Sequence, residues 1–453
     1  MMFCFSEFDN KSKKLDLIKI LICLNPLIFS LIVIFTDFVD YKGTFESAKY
    51  ISIAQNWLDN SSNVVTPDRL PIYPLLISLI FKIFGNNNLV ALLLSQSFLG
   101  ILSFYYLIKT LEKLKLGNNL VILLTLLFNL SINFRFSVFL PNCLFIFLIT
   151  LFIYNFTYFF ISKNKKYFFF MCFFIFLMML TRPIFQLSIF FSFPIIIYFV
   201  LKQNFSKLFK FQLITVLILS YFLSVGVQFI RYYNAYENFA YTTQSGIHLN
   251  KWVIPCLSQK YGCGSRNMDI HTYLDKKYQN EISKGNYDEV KKNKIAMDIG
   301  FTFLLNEMDK KKIVISTIFS YAKLLLHSSL VEIYPAFNIN FKNFSLMEGG
   351  SFLEKLNSLK KKTFSDLKYF FWSLSIFFLF IMRLVQIVGI ISIFKNKFLN
   401  LYILLIVSLI FVILIPAIGM GNPRYRSEIE PLLLILGAIG IKTIINACKI
   451  KEK

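Results

Sequence analysis

The sequence predicts an all-α polytopic membrane protein of about ten transmembrane helices. An extracytoplasmic first loop of interfacial helices and an α-rich outer domain complete the expected architecture. Three observations predict this class. The 453 residues are 56% hydrophobic and only 16% charged, outside the range of a soluble domain. Apolar runs of spanning length recur along the chain. Most lysines fall in short segments between those runs, as the positive-inside rule expects. The formal charge of +23 therefore reads as membrane topology rather than nucleic-acid binding, and the heavy Phe, Ile, Lys and Asn usage looks like AT-rich coding bias.

Residues 1–15 form a polar tail with Lys11, Lys13 and Lys14, which places the amino terminus in the cytoplasm. A first span over about 16–36 lacks a small-residue cleavage site and reads as a retained anchor. The first outer loop, 37–88, begins with Asp37 and Asp40. Within it, 45–58 reads as an amphipathic helix with Phe45, Ile53 and Trp57 near one face and Glu46, Lys49 and Gln55 elsewhere. Residues 75–84 are apolar but too short to span, and read as interfacial.

Spans follow at about 89–108, 119–136 and 139–161, with lysines at the ends expected inside. The stretch 167–201 would be about 52 Å as one helix, far beyond a ~30 Å hydrocarbon core. Arg182-Pro183 interrupts it midway, so it reads as two crossings with Arg182 at the outer end. A seventh span, about 211–230, closes a transmembrane core of 16–230. From 231 to 366 charges, Asn and Tyr rise and the chain reads as an extracytoplasmic domain. The segment 313–333 is interrupted by Lys323 and His327 and reads as interfacial. Spans at about 369–394, 399–418 and 429–447 complete the C-terminal part, 367–453, and both termini are expected inside.

Of seven Cys, only Cys256 and Cys263 fall in an extracytoplasmic segment, where an oxidising compartment permits a disulfide. There is no C-x-x-C pair, and His248 and His271 are too isolated to suggest a metal.

Three clusters can carry chemistry. The first is acidic: Asp37, Asp40 and Glu46. Such carboxylates can solvate a loop entrance or serve as a general base for an alcohol nucleophile. The second is basic: Arg69, Arg182, Arg424 and Arg426, whose guanidinium forks suit a phosphate, although arginines at span ends also anchor to headgroups. Arg383 stands apart, near the centre of its span. It should face the bundle interior with a partner, as a structural polar pair. The third is the entry to the outer domain, RYYNAYENFAYTTQSGIHLN, with a turn expected at Ser245-Gly246.

Glu46 lies four residues before Tyr50, on one helical face, and the stretch closes on Arg69, Pro71, Tyr73 and Pro74. This pattern resembles the first extracytoplasmic loop of GT-C glycosyltransferases that use polyprenyl-phosphate sugars, such as the protein O-mannosyltransferases and lipid A aminoarabinose transferases. There an acid four before a Tyr, followed by an R-x-P-x-Y-P-like turn, carries the catalytic carboxylate. The family usually has Asp where this chain has Glu46. Arg424-Tyr425 then Pro431 resembles the R-Y-x-x-P-x-x-P element before the last span, with Glu430 where a first Pro might stand. Leu140-Pro141-Asn142 matches a place where relatives often carry a second acid, and Thr181-Arg182-Pro183 is a further weak match. The entry at Arg231 resembles the R-N-x-x-x-G…S-x-G entry of the group, with two Tyr intervening before Asn234. The resemblance spans most of residues 1–230 and the final thirty or so, while the outer domain resembles nothing nameable.

The resemblance implies a membrane hexosyl- or pentosyltransferase in a bacterial cytoplasmic membrane, with its active site on the outer face. It would move a sugar from a polyprenyl phosphate to a glycan, lipid or protein acceptor. In that reading Glu46 is the base and Asp40 supports it or binds an ion. Arg69, Arg182, Arg424 and Arg426 hold the donor phosphate, and Tyr73 and Tyr425 shape the pocket. The residues assign no certain cofactor, and a divalent metal is left open. The rival classes are a lipid-linked saccharide transporter, which should carry charges deep in several spans, and a non-catalytic glycan-binding relative.

Overall fold

The computed structural model describes residues 12–36, 45–59, 69–116, 130–259, 267–328, 366–394, 399–421 and 423–451, with the isolated positions 330 and 333. Among these residues the structure is helical, with no strand. Helix α1 is Ser12–Phe35, α2 Phe45–Leu58, α3 Ile72–Phe84 and α4 Leu89–Lys113. They are followed by α5 Leu130–Phe136, α6 Asn142–Ser162 and α7 Lys165–Met179. A bent pair, Pro183–Phe191 and Phe193–Lys202, precedes α8 Lys207–Tyr236. The segment after α8 contains short helical turns over 245–257, then α9 Met268–Ile282, α10 Glu289–Thr302 and α11 Lys310–Leu326. Three long helices close the chain: α12 Leu367–Ile391, α13 Asn400–Leu414 and α14 Pro423–Lys451.

Local sequence accounts for many of the helix starts. Side chains of Asn88, Asn164, Ser206, Asn267, Asp288, Asp309 and Asp366 each accept a hydrogen bond from a backbone N–H in the first turn. Pro183 breaks the expected 167–201 run as the sequence indicates, after Leu180 has ended α7.

Among the described residues six helices are long and apolar enough to cross a membrane, and the bent pair, kinked by 42°, makes a seventh if it is one span. By this measure the ten expected crossings are not reached. The apolar part of α1, Lys19–Phe35, and helix α7 fall short in length, and most of the expected span 119–136 lies outside the described residues. Helix α8 has 30 residues, ~45 Å at 1.5 Å per residue, and runs through Arg231 without a break. Its last turns therefore continue past the length a bilayer needs.

Helix α6 sits at the centre. In its apolar window 78% of residues are buried, against 22% in the window of α12. Around it pack α4, α7 and α14. Polar groups inside the bundle are satisfied locally. Gln96 on α4 accepts from Tyr73 Oη at 2.6 Å and donates to the carbonyls of Phe136 and Val138, which ties α3, α4 and the α5–α6 turn at one buried point. Helices α12 and α14 cross with backbones in contact, because a side chain at Gly389 or Gly440 would collide with the Leu436 or Val385 carbonyl.

Two expectations need correction. The buried face of α2 is Ser47, Tyr50, Ile51 and Ala54, with Ile53 beside it, while Trp57 is half-exposed. The i, i+3, i+4, i+7 stripe that includes small residues wins over the stripe of largest apolar side chains, because α2 packs closely on α3. The last helix begins at Pro423, not near 429, so Arg424, Arg426, Glu428 and Glu430 lie inside it.

Candidate active site

The first two turns of α14 carry the sequence RYRSEIE, in which two i,i+4 pairs interleave. At about 100° per residue, Arg424 and Glu428 share one face and Arg426 and Glu430 the opposite one. The two faces meet different surroundings.

On the first face Glu428 is fully buried. Its Oε1 accepts from Arg182 Nη2 at 2.8 Å and from Asn142 Nδ2 at 2.5 Å. Arg424 Nε donates to Asn142 Oδ1 at 3.3 Å, and the Arg135 guanidinium is close enough to act on Glu428 electrostatically. The polar cluster thus gathers the end of α5, the start of α6, the α7 break and the start of α14. Each contributor stands at a helix end because Pro141, Pro183 or Pro423 starts a new helical segment beside it.

A neighbouring layer comes from the first loop. Arg69 lies over the Tyr50 ring at 5.2 Å, and Tyr50 packs edge-on against Tyr73 at 5.3 Å. The Tyr73 hydroxyl lies beside the Cys143 thiol, one residue from Asn142. Ile72 N–H donates to the Leu180 carbonyl at 3.3 Å, so the Arg69–Pro74 turn is fastened next to the Arg182 break. Arg231 Nη1 donates to the Arg69 carbonyl at 3.1 Å and to Gln228 Oε1 at 2.8 Å. Arg182 and Arg424 are therefore brought together around Asn142 and Glu428, while Tyr73 lies beside Cys143 next to Asn142 and Arg69 joins this layer through Tyr50. Tyr425 is half-buried beside them in sequence.

On the opposite face Arg426 is 1% exposed. Its Nε pairs with Glu430 Oε1 at 2.8 Å and its Nη1 donates to the carbonyls of Leu324 and His327. Arg383 joins the same carboxylate at 3.0 Å, and also donates to Gln386 Oε1 and the Leu325 carbonyl. Two guanidiniums thus cap the carbonyl end of α11, which helix geometry leaves without partners, and Glu430 compensates them. Arg383 has the interior partner expected for it. Arg426 belongs to this clamp and not to the Arg182 cluster.

The loop acids Asp37 and Asp40 lie outside the described residues, as does the side chain of Glu46, whose backbone is one helical turn before Tyr50. Cys256 is disulfide-bonded, while Cys263 is outside the described residues. Among the described residues no three His, Cys, Asp or Glu side chains gather as metal ligands. Sequence reasoning missed Glu428 and Arg135. The available signal was the doubled i,i+4 spacing: charges entering an apolar helix must be paired or face a polar site.

Residues 67–227 match the dolichyl-phosphate-mannose-protein mannosyltransferase family. That stretch is a domain of the GT-C superfamily. It covers less than half the chain, yet it contains Arg69, Tyr73, Arg135, Asn142 and Arg182. With the apolar helices, the mannosyltransferase-type domain points to a membrane glycosyltransferase of the GT-C type. Helices α2 and α14 and the segment between α8 and α12 lie beyond the match. No curated protein and no solved structure matches the chain.

Proposed function

We propose that the protein transfers a sugar from a polyprenyl phosphate to an acceptor hydroxyl on the outer face of a bacterial cytoplasmic membrane. The observation that carries this reading is the convergence of Arg182, Arg424 and Arg135 on Asn142 and Glu428, inside and beside a mannosyltransferase-type domain. Arg182 uses Nη2 for Glu428, and its Nε is without a hydrogen-bond partner among the described residues. A guanidinium with a donor in hand suits a phosphate oxygen.

In the proposed step the acceptor oxygen bonds to the anomeric carbon as the bond to the phosphate oxygen breaks, with inversion. The acceptor proton passes to Glu46, with Asp40 supporting it, and the polyprenyl phosphate leaves with added negative charge. Arg182, Arg424 and Arg69 stabilise that charge where it develops. Tyr73 holds the Arg69 turn against α4 through Gln96. No part of the step is assigned to a metal.

The outer-face placement draws support from the two ends of the bundle. Lys19 with Glu112, Lys115 with Lys442, and Lys163 against Phe199 occupy the end opposite the arginine cluster, consistent with lysines inside. A disulfide at Cys256 fits an oxidising compartment. Ten crossings satisfy the same alternation. Against transport, the deep charges Arg383, Arg426 and Glu430 bond to one another and to a helix end rather than line a path.

The test uses the purified protein in liposomes containing polyprenyl-phosphate mannose or polyprenyl-phosphate glucose. Release of free polyprenyl phosphate is followed with and without added membrane glycolipid or peptide acceptors. Turnover that Arg182→Gln abolishes supports the proposal. Binding of the lipids without turnover under any acceptor points instead to the glycan-binding class, and movement of the intact lipid across the bilayer to the transporter.

A further inference from the structure

The Glu428 carboxylate has one oxygen that the cluster leaves over. Oε1 takes both Arg182 and Asn142, whereas Oε2 is buried without a hydrogen-bond partner among the described residues. A fully buried carboxylate oxygen in that state lacks a donor, and the missing donor is the kind of group a ligand can bring. An ionised carboxylate only accepts. The complementary group is therefore a hydroxyl or N–H, not a second anion.

The position narrows the choice. Arg182 and Arg424, proposed above to hold the donor phosphate, are the groups that bracket Glu428 through Oε1 and Asn142. A phosphate on those guanidiniums lies beside the carboxylate, with the arginines between the two negative charges. The sugar is joined to that phosphate through its anomeric carbon. Its nearest hydroxyl to the phosphate is the one on the adjacent carbon, the 2-hydroxyl. We infer that Glu428 Oε2 accepts a hydrogen bond from the 2-hydroxyl of the donor sugar, so that Glu428 both sets Arg182 and reads the sugar. Glu428 thus makes the site prefer a sugar that keeps this hydroxyl. The bond also strengthens as positive charge builds on the ring in the transition state.

This inference rests on the donor reading, and the experiment separates the two. Binding to the full-length protein in nanodiscs is measured for polyprenyl phosphate, polyprenyl-phosphate mannose and polyprenyl-phosphate 2-deoxymannose. The wild-type chain should bind the mannosyl lipid about tenfold or more tighter than its 2-deoxy analogue, the range for a hydrogen bond to a charged group. Glu428→Gln should bring the mannosyl and 2-deoxy lipids to equal affinity, whatever it does to the bare lipid phosphate through Arg182, and loss of that ratio is a change that merely structural damage would not produce. Arg182→Gln should weaken all three lipids together. Since Glu428→Gln leaves Arg182 without an anion, Glu428→Asp serves as the conservative variant; it keeps the charge and should reduce the preference without abolishing phosphate binding. Equal binding of the mannosyl and 2-deoxy lipids by the wild-type chain overturns the inference and leaves the donor reading standing. So does a Glu428→Gln chain that keeps the preference. Failure of the wild-type chain to bind any of the three removes the donor reading, and this inference with it.

Discussion

Arg182 and Glu428 form an ion pair at 2.8 Å in which the glutamate side chain is fully buried and the arginine side chain 13% exposed. One residue stands at a proline break between two helices and the other one turn into the last helix. Removing one member leaves the other charge buried without its ion-pair partner. Arg182→Ala should lower unfolding free energy in detergent by about 3–5 kcal/mol. The paired replacement Arg182→Met with Glu428→Leu should recover much of that loss yet have no transferase activity. Denaturant unfolding alongside a turnover assay checks both; equal stability of Arg182→Ala and the wild type would show that the pair is not formed.

The two faces of α14 separate the arginines that the sequence groups together. Arg424→Gln should raise the KM for the lipid donor at least tenfold with little change in stability, because Arg424 is half-buried at the cluster. Arg424→Lys should keep part of the affinity, losing only the fork. Arg426→Gln should instead lower stability, since it uncaps α11 and leaves Glu430 with Arg383 alone. Donor titrations and thermal melts on the same preparations decide it. A donor-specific defect in Arg426→Gln at wild-type stability contradicts the division.

If Glu46 takes the acceptor proton, Glu46→Gln should cut turnover about 10²–10⁴-fold while donor binding survives. Glu46→Asp should restore part of the rate. Asp40→Asn is the control: an inactive Asp40→Asn beside an active Glu46→Gln makes Asp40 the base.

Topology is checked by single cysteines placed at Ser162, Asn204, Asn286 and Asn396 in a background that keeps Cys256. Only the site at Asn286 should react with an impermeant reagent added outside. Reaction at Asn396 from outside would require α11 to cross the membrane and would change the count of spans.

The sequence by itself determined the class of molecule. Apolar runs, lysine placement, Asn, Ser and Asp caps and the Arg182-Pro183 break are local signals, and local physics sets helix ends and spans with few alternatives. It also singled out the first-loop pattern around Arg69 and Tyr73, which the family match over 67–227 includes. Only the tertiary structure decided which charges meet. Arg424 and Arg426 are two residues apart and equivalent by composition, yet helical rotation turns one toward Arg182 and Asn142 and the other toward Arg383 and the end of α11. The start of the last helix at Pro423 sets that rotation, and a start near 429 would have hidden it. Glu428 matched no family motif, and its i,i+4 spacing from Arg424 signals a paired charge without saying which distant residues meet it. Its role follows from burial beside guanidiniums contributed by helices far apart in the chain, a relation that no window of sequence contains.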